Sequence, residues 1–357
     1  MSRGFPDRLA ALVEERRSQI VLGLDPDPAA LWPEAFPDRA VSVAAPAEAA
    51  SGGEAASGEG TPGEAASGEA AAPGRRAAAS SEAAAPGRAA AASSDVAAST
   101  AAAVARHCRA AIDAAGPACV AVKPQVACFE RLGAPGWAAL AETVEHARAS
   151  GLLALVDGKR GDVPVTARAY AQAMVGETPG PFGPVRGLDA DAFTADPLLG
   201  RDSLEPLAEA AQAAGAGVFC LVRTSNPGAA AIQDEPADGP LHERLARLVD
   251  ELGAETVGGC GLSAVGAVTG ATQPQLLGRL RELMPRAIFL LPGVGAQGGS
   301  VEDLAAAFEP HPAAGLVTAS RSIVNAHAQR GGDPAEAARA AAEELREAAW
   351  GLAGRST

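Results

Sequence analysis

The sequence lacks any apolar run long enough to cross a lipid bilayer. Its longest runs, such as AIFLLPGVGA over residues 287–296, reach about ten residues, half of what a membrane-spanning helix needs. Residues 1–19 alternate charged and apolar positions and lack the apolar core and the small-residue cleavage site of a secretory signal. We therefore expect a cytoplasmic protein with no membrane partner.

Positive charge is also scarce. The chain has 29 lysine and arginine residues against 43 aspartate and glutamate residues, which gives a formal net charge of −14. Nucleic acids and anionic membrane surfaces are bound through clustered basic residues. The composition therefore argues against a nucleic acid as the partner.

Cysteine and histidine are few, with five of each. The odd number of cysteines and the absence of CxxC pairs argue against a disulfide framework, and no cysteine and histidine residues have the spacing of a zinc site. We expect reduced, mostly buried thiols and no bound metal.

Lysine is the rarest basic residue. The 29 basic side chains include only Lys123 and Lys159, which leaves 27 arginines. An arginine stays protonated, whereas a lysine ammonium is compact and can give up its proton. The two lysines are therefore candidates for chemistry, although leftover surface lysines would look the same from this count alone.

A low-complexity segment interrupts the chain at residues 44–103. It consists largely of Ala, Gly, Ser, Glu and Pro, and EAASGE occurs at both 54–59 and 64–69. Such a segment buries too little apolar surface to offset the entropy lost on ordering. We expect a disordered insertion between a first part of the fold, 1–43, and the remainder, 104–357.

About 300 residues remain without the insertion, the typical size of one (β/α)₈ barrel. Short apolar runs alternate in them with amphipathic helical stretches, the pattern of parallel strands joined by helices. The eight runs are residues 20–25, 119–124, 152–157, 188–194, 217–223, 264–270, 287–293 and 315–320. They predict a single α/β barrel with the insertion after its first strand; a doubly wound sheet is the alternative.

Polar residues stand where the predicted strands end, the edge at which barrel active sites are built. They are Asp25, Lys123, Asp157, Arg223, Thr224, Gln297 and Arg321. The segment DGKRGD adds Lys159 two residues after Asp157, on the same side of an extended strand end, and Asp162 in the following loop. A lysine between carboxylates stays protonated and suits the stabilisation and protonation of a carbanion. A salt-bridged surface turn is the plainer interpretation.

Two glycine- or serine-containing turns follow the seventh and eighth predicted strands, PGVGAQGG at 292–299 and SRSI at 320–323. The loops after these two strands commonly bind phosphate in barrels of this kind. Gln297 can donate from its amide and Arg321 can hold phosphate bidentately. Ordinary tight turns are the alternative.

The motifs VLGLDPDP (21–28), VAVKPQVACFERLG (120–133), ALVDGKRGDVPVTARAYA (154–171) and LVRTSNPGA (221–229) resemble orotidine 5′-phosphate decarboxylases, in particular their longer bacterial subgroup. The resemblance implies conversion of orotidine 5′-monophosphate (OMP) to uridine 5′-monophosphate (UMP) without metal or cofactor, in homodimers with shared active sites. It implies a charge array of Lys123, Asp157, Lys159 and Asp162, with Lys159 protonating C6.

The same resemblance implies the substrate contacts. The substrate-binding residues would be Asp25 for the ribose, Ser225 for the pyrimidine edge, Gln297 and Arg321 for the phosphate, and Val163 and Thr166, which with Asp162 would reach the partner's site. Two other functions stay open: a Mg²⁺-dependent sugar-phosphate lyase or decarboxylase on the same barrel, and a non-catalytic phosphate-binding protein.

Overall fold

Eight parallel strands close into a barrel in the computed structural model, which describes residues 4–36 and 86–354. The strands are β1 Ile20–Leu24, β2 Ala121–Pro124, β3 Leu153–Arg160, β4 Ala192–Ala195, β5 Gly217–Arg223, β6 Val265–Thr269, β7 Phe289–Pro292 and β8 Gly315–Ala319. Each strand pairs with its neighbours in the chain, and β8 closes onto β1 with Ile20 opposite Val317. The predicted α/β barrel is thereby confirmed.

Helices surround the barrel and connect its strands. They are α1 Phe5–Arg16, α2 Pro86–Ala115, α3 Val126–Glu130, α4 Ala134–Ala149, α5 Pro164–Met174, α6 Arg201–Ala213, α7 Ala230–Gln233, α8 Leu241–Gly253, α9 Leu277–Leu283, α10 Arg321–Val324, α11 His327–Arg330 and α12 Pro334–Ala353. In the described part of the chain no helix is both long and apolar enough to cross a membrane.

The core has two layers because parallel strands bury both faces. Outward-facing strand residues pack against the helices in one cluster. Inward-facing residues pack together in a second cluster, which α1 joins at the amino-terminal end of the strands through Phe5, Leu9 and Val13. The Phe5 ring meets Phe219 of β5 edge-on at 6.0 Å. With that end filled, the opposite end of the barrel is left for a binding site.

Residues 44–85 of the predicted insertion lie outside the described residues, and residues 86–103 lie within them. Helix α2 begins at Pro86, so residues 86–103 are helical, and Ala101 and Ala103 are buried. The boundary at residue 103 is therefore too late. No glycine or proline stands between Gly87 and Gly116, and alanine is the strongest helix former. The division into 1–43, 44–103 and 104–357 otherwise stays a prediction.

The fourth strand is shorter than the predicted 188–194. Residue Asp189 has a left-handed backbone with φ 53°, and the amides of Leu188 and Ala190 bond to carbonyls at the end of α5. The chain therefore meets the sheet only from Asp191, whose N–H donates to Ala154 O at 2.9 Å, and the strand itself begins at Ala192. A small antiparallel hairpin, Glu177–Thr178 with Val185–Arg186, precedes this strand, and the hydrophobic pattern did not predict it.

Candidate active site

A cavity of about 540 Å³ opens at the carboxyl ends of the strands. Seven of the ten predicted site residues line it: Asp25, Lys123, Asp157, Lys159, Ser225, Gln297 and Arg321. Leu221, Val268 and Leu290 line it from the barrel interior with apolar side chains. The cavity therefore combines charged groups from several strands with an apolar surface, as small-molecule sites do.

Asp157 joins the two lysines into one charge array. Its Oδ2 accepts a hydrogen bond from Lys123 Nζ at 2.6 Å, and its Oδ1 accepts one from Lys159 Nζ at the same distance. Gln125 Nε2 also donates to Oδ2, at 3.2 Å, and Thr194 Oγ1 donates to Oδ1 at 2.8 Å. Both carboxylate oxygens are thus held by two donors each, which sets the positions of both ammonium groups.

The array remains charged because its members stabilise one another. Burial opposes the ionised form of Asp157, but the adjacent charges of Lys123 and Lys159 outweigh it and hold the pKa of Asp157 well below its usual value. Burial likewise opposes the charged form of Lys123, yet Asp157 and Asp25 together raise its pKa. Asp157 is therefore ionised and Lys123 protonated around neutral pH, with the Nζ of Lys159 bonded to the same carboxylate.

A distortion of β3 directs Lys159 into the cavity. The pairing of β3 with β4 changes register between Val156 and Arg160, and Lys159 has a positive φ of 47°, a conformation that costs a non-glycine residue about 1 kcal/mol. Its backbone N–H donates to Thr194 Oγ1 at 2.9 Å. Only 45% of the side chain is exposed. Such irregularities re-aim side chains beside active sites.

The loops after β7 and β8 form the opposite wall. The β7 loop turns at Gly293 and Gly295, with φ of 104° and 74°, and is closed by a hydrogen bond from Gly295 N to Gly299 O at 2.9 Å. This turn presents Gln297, while Arg321 begins the short helix after β8. Within residues 4–36 and 86–354, Arg321 has no ion-pair partner, so its guanidinium is available to an anionic ligand.

The loop after β5 supplies Ser225 on a third side. Thr224 N donates to Gln233 Oε1 at 2.8 Å, so helix α7 is tied back to the start of this loop. Arg223, expected at the strand end, does not line the cavity. Its guanidinium instead donates to both oxygens of Asp234, at 2.8 and 3.0 Å, and anchors the far end of the loop.

Comparison with known proteins decides the family. Residues 92–341 match the model of the orotidine 5′-phosphate decarboxylase / HUMPS family. An orotidine 5′-phosphate decarboxylase from Rhodopirellula baltica is 45% identical over 224 residues, 62% of this chain and 72% of that protein. One from Deinococcus radiodurans is 42% identical over 234 residues, 66% of this chain and 82% of that protein. The chain belongs to the orotidine 5′-phosphate decarboxylase family.

A solved structure agrees with this membership of the orotidine 5′-phosphate decarboxylase family. The OMP decarboxylase of Leishmania donovani is 28% identical and superposes with a TM-score of 0.63, over 98% of this chain and 99% of the other. The predicted family and enzyme class, a carboxy-lyase, are thereby confirmed. The roles of individual residues stay predictions.

Three residues predicted from the decarboxylase resemblance lie outside this chain's own cavity. Asp162, Val163 and Thr166 follow β3, at the start of α5. Asp162 Oδ1 accepts the hydrogen bond of the next amide, Val163 N, at 2.7 Å. The preceding Arg160 pairs with Glu130 rather than with the array. The structure therefore does not bring Asp162 to the lysines within one chain.

Sequence reasoning missed several polar residues of this cavity. They are Gln125, Thr194, Asn226, Gln233, Thr318, Ser320 and Ser322, whereas Thr224 was expected at the end of its strand. Gln125 stands in the motif KPQ beside Lys123, so the motif contained the signal for it. Thr194 occupies an apolar strand, AFTA, where a threonine is unremarkable. In the described part of the chain no group of three or more His, Cys, Asp or Glu residues could hold a metal ion.

Proposed function

We propose that this cavity is the site at which the chain decarboxylates OMP. The chain converts this nucleotide to UMP and carbon dioxide, the carboxy-lyase reaction of its family in pyrimidine biosynthesis. One observation carries the assignment of the site: Lys123, Asp157 and Lys159 alternate in charge within a cavity whose opposite wall holds Arg321. That arrangement provides a cationic centre for the reacting carbon and an anchor for the phosphate.

The array stabilises the carbanion and then protonates it. Loss of carbon dioxide breaks the bond between C6 and the carboxylate carbon and leaves the electron pair on C6. The ammonium of Lys159 stabilises that charge and transfers a proton to C6, which forms the new C–H bond. The resulting neutral amine regains a proton from water. The partly exposed side chain of Lys159 makes this return possible.

Each of the remaining site residues binds a different part of the substrate. Arg321 and Gln297 bind the phosphate, Asp25 accepts hydrogen bonds from the ribose hydroxyls, and Ser225 binds the pyrimidine edge. Lys123 and Asp157 hold Lys159 in place and keep the local charge alternating. A cytoplasmic location, where nucleotide synthesis takes place, is part of this proposal; cell fractionation with an antibody against the chain tests it.

Decarboxylation is expected to survive removal of divalent metals. The lysine array supplies the positive charge that a Mg²⁺ ion supplies in the sugar-phosphate alternative. The measurement is the loss of ultraviolet absorbance of OMP with protein that was stripped of metal and assayed in excess chelator. A matched assay with added Mg²⁺ is the control, and the two rates should agree.

The alternatives predict different results from the same assay. Turnover that vanishes in chelator and returns with Mg²⁺ would support the sugar-phosphate lyase instead. Binding of UMP without any turnover of OMP would support the non-catalytic phosphate-binding protein. Either result would overturn the proposed function.

We also propose that two copies of the chain form a dimer with shared active sites. Asp162, Val163 and Thr166 lie outside the chain's own cavity, on the loop and helix after β3. Apolar side chains on the segments after β3 and β4 are exposed: Val163 is 54% exposed, Val165 84% and Leu198 77%. A twofold interface over this patch would cover these side chains and carry Asp162 to the partner's lysines.

Mixing two inactive variants tests the shared site. Lys159→Ala and Asp162→Ala homodimers are each expected to be nearly inactive. In a mixed dimer one site carries both lesions and the other carries neither. Equal amounts mixed at random give about half heterodimers, so about a quarter of all sites should recover. Subunits are exchanged in mild denaturant and the decarboxylation rate is measured after refolding.

Each variant taken alone through the same denaturation cycle is the control. Native mass spectrometry counts the heterodimers. If heterodimers form and no activity returns, Asp162 serves its own chain and the shared site is refuted, while the OMP decarboxylase activity of the wild type is unaffected by that result.

A further inference from the structure

Thr194 of β4 makes two hydrogen bonds inside the charge array. Its hydroxyl donates to Asp157 Oδ1 at 2.8 Å and accepts the backbone N–H of Lys159 at 2.9 Å. The residue is 2% exposed and lines the cavity. One buried hydroxyl on β4 thus contacts the carboxylate of the array and the backbone of the lysine on β3.

The chemistry of these two partners requires a group that both donates and accepts. A backbone N–H can only donate, and an ionised carboxylate can only accept. A hydroxyl does both, whereas an apolar side chain of the same shape does neither. Leaving the buried amide or a carboxylate lone pair unpaired carries the desolvation cost of that group.

The contact lies where the strand geometry is irregular. The register shift between Val156 and Arg160 breaks the regular pairing of β3 with β4, and Lys159 has a left-handed backbone. Strained conformations of this kind persist only where the surroundings hold them. The Thr194 hydroxyl holds the amide of that residue from the neighbouring strand.

We propose that Thr194 is a positioning residue for the decarboxylation: by joining the Lys159 amide to the Asp157 carboxylate, it aims the Lys159 ammonium at C6. The proposal rests on the proposed role of Lys159 as the proton donor. Thr194 acts through Asp157 and the Lys159 backbone and transfers no proton itself. Its effect falls on kcat, because a displacement of about 1 Å of a reacting group can cost about a hundredfold in rate.

The test compares Thr194→Val with Thr194→Ser. Valine keeps the shape and removes both hydrogen bonds, so kcat for OMP should fall about a hundredfold, while KM and the affinity for UMP stay close to wild type. Serine restores the hydroxyl and should recover most of kcat. The matched control is Thr269→Val on β6, since the Thr269 hydroxyl is buried without a hydrogen-bond partner in the described residues; its kcat should not change.

A second readout does not depend on activity. The Lys159 amide donates to Thr194 Oγ1, so its hydrogen exchange measured by NMR should be faster in Thr194→Val than in the wild type and slow again in Thr194→Ser. Faster exchange with unchanged kcat would overturn the positioning role. An equal loss in Thr269→Val, or no rescue by serine, would reduce Thr194 to a structural residue. A wild type that does not decarboxylate OMP would instead refute the proposed function, whatever the exchange result.

Discussion

Replacing Lys159 by arginine is expected to lower kcat for OMP by at least about a thousandfold, a barrier increase of about 4 kcal/mol. Arginine keeps the positive charge, but a guanidinium stays protonated in proteins and is a poor proton donor. The guanidinium is also too large for the position of the ammonium. The Nζ atom of Lys159 lies 2.6 Å from Asp157 Oδ1, and the same oxygen accepts a hydrogen bond from Thr194. A positive charge that cannot transfer a proton to C6 should therefore not support decarboxylation.

Steady-state kinetics of the purified variant provide the measurement. As controls, thermal unfolding of the variant should be unchanged and its binding of UMP retained. Both are expected because Gln297 and Arg321, the proposed phosphate-binding residues, stand in the loops after β7 and β8 and not beside Lys159 on β3. A variant that retains more than about a tenth of wild-type kcat, a barrier increase below about 1.4 kcal/mol, would contradict the role of Lys159 as the proton donor.

Replacing Arg321 by alanine is expected to lower kcat/KM for OMP by about a hundredfold or more, since truncating one partner of a charged hydrogen-bonded pair costs about 2–5 kcal/mol. Both kcat and KM should change, because contacts to the phosphate can contribute energy that is realised in the transition state. The structure leaves this guanidinium without an ion-pair partner in the described residues, so the protein itself loses no salt bridge.

Orotidine, which lacks the phosphate, separates a phosphate contact from a general defect. Wild type and Arg321→Ala should decarboxylate orotidine at equal, low rates. The matched control is Arg330→Ala, an exposed arginine of α11 that pairs with Glu344 away from the cavity; it should behave like wild type with both substrates. If Arg321→Ala lost as much activity toward orotidine as toward OMP, Arg321 would not be the phosphate-binding residue.

The sequence alone predicted much of the fold and of the site. Parallel strands buried on both faces must be continuous apolar runs, so the eight strands could be located from composition and spacing. The carboxyl ends of such strands meet at one end of a barrel, so Lys123 and Asp157 could be expected to lie together. The scarcity of lysine indicated the same two ammonium groups independently.

Contacts between distant segments could not be obtained in this way. Thr194 is one threonine in an apolar strand, and its importance comes from the register that places it beside Lys159. Arg223 stands at a strand end like the residues of the array, but its guanidinium reaches Asp234 on a later turn instead of the cavity. The alternation of side chains along a strand shows which face of the sheet a side chain occupies, but it does not show which other side chain it contacts there.

The sequence by itself thus determined where the strands lie along the chain and which charged groups stand at their carboxyl ends, and it favoured a barrel, because hydrophobic periodicity and motif spacing are local properties. Only the tertiary structure decided that Asp157 bridges the two lysines, that Thr194 holds the Lys159 backbone and that Asp162 lies outside its own chain's cavity. Those facts depend on strand register and on a distorted backbone at Lys159, which arise when segments distant in the chain pack against each other.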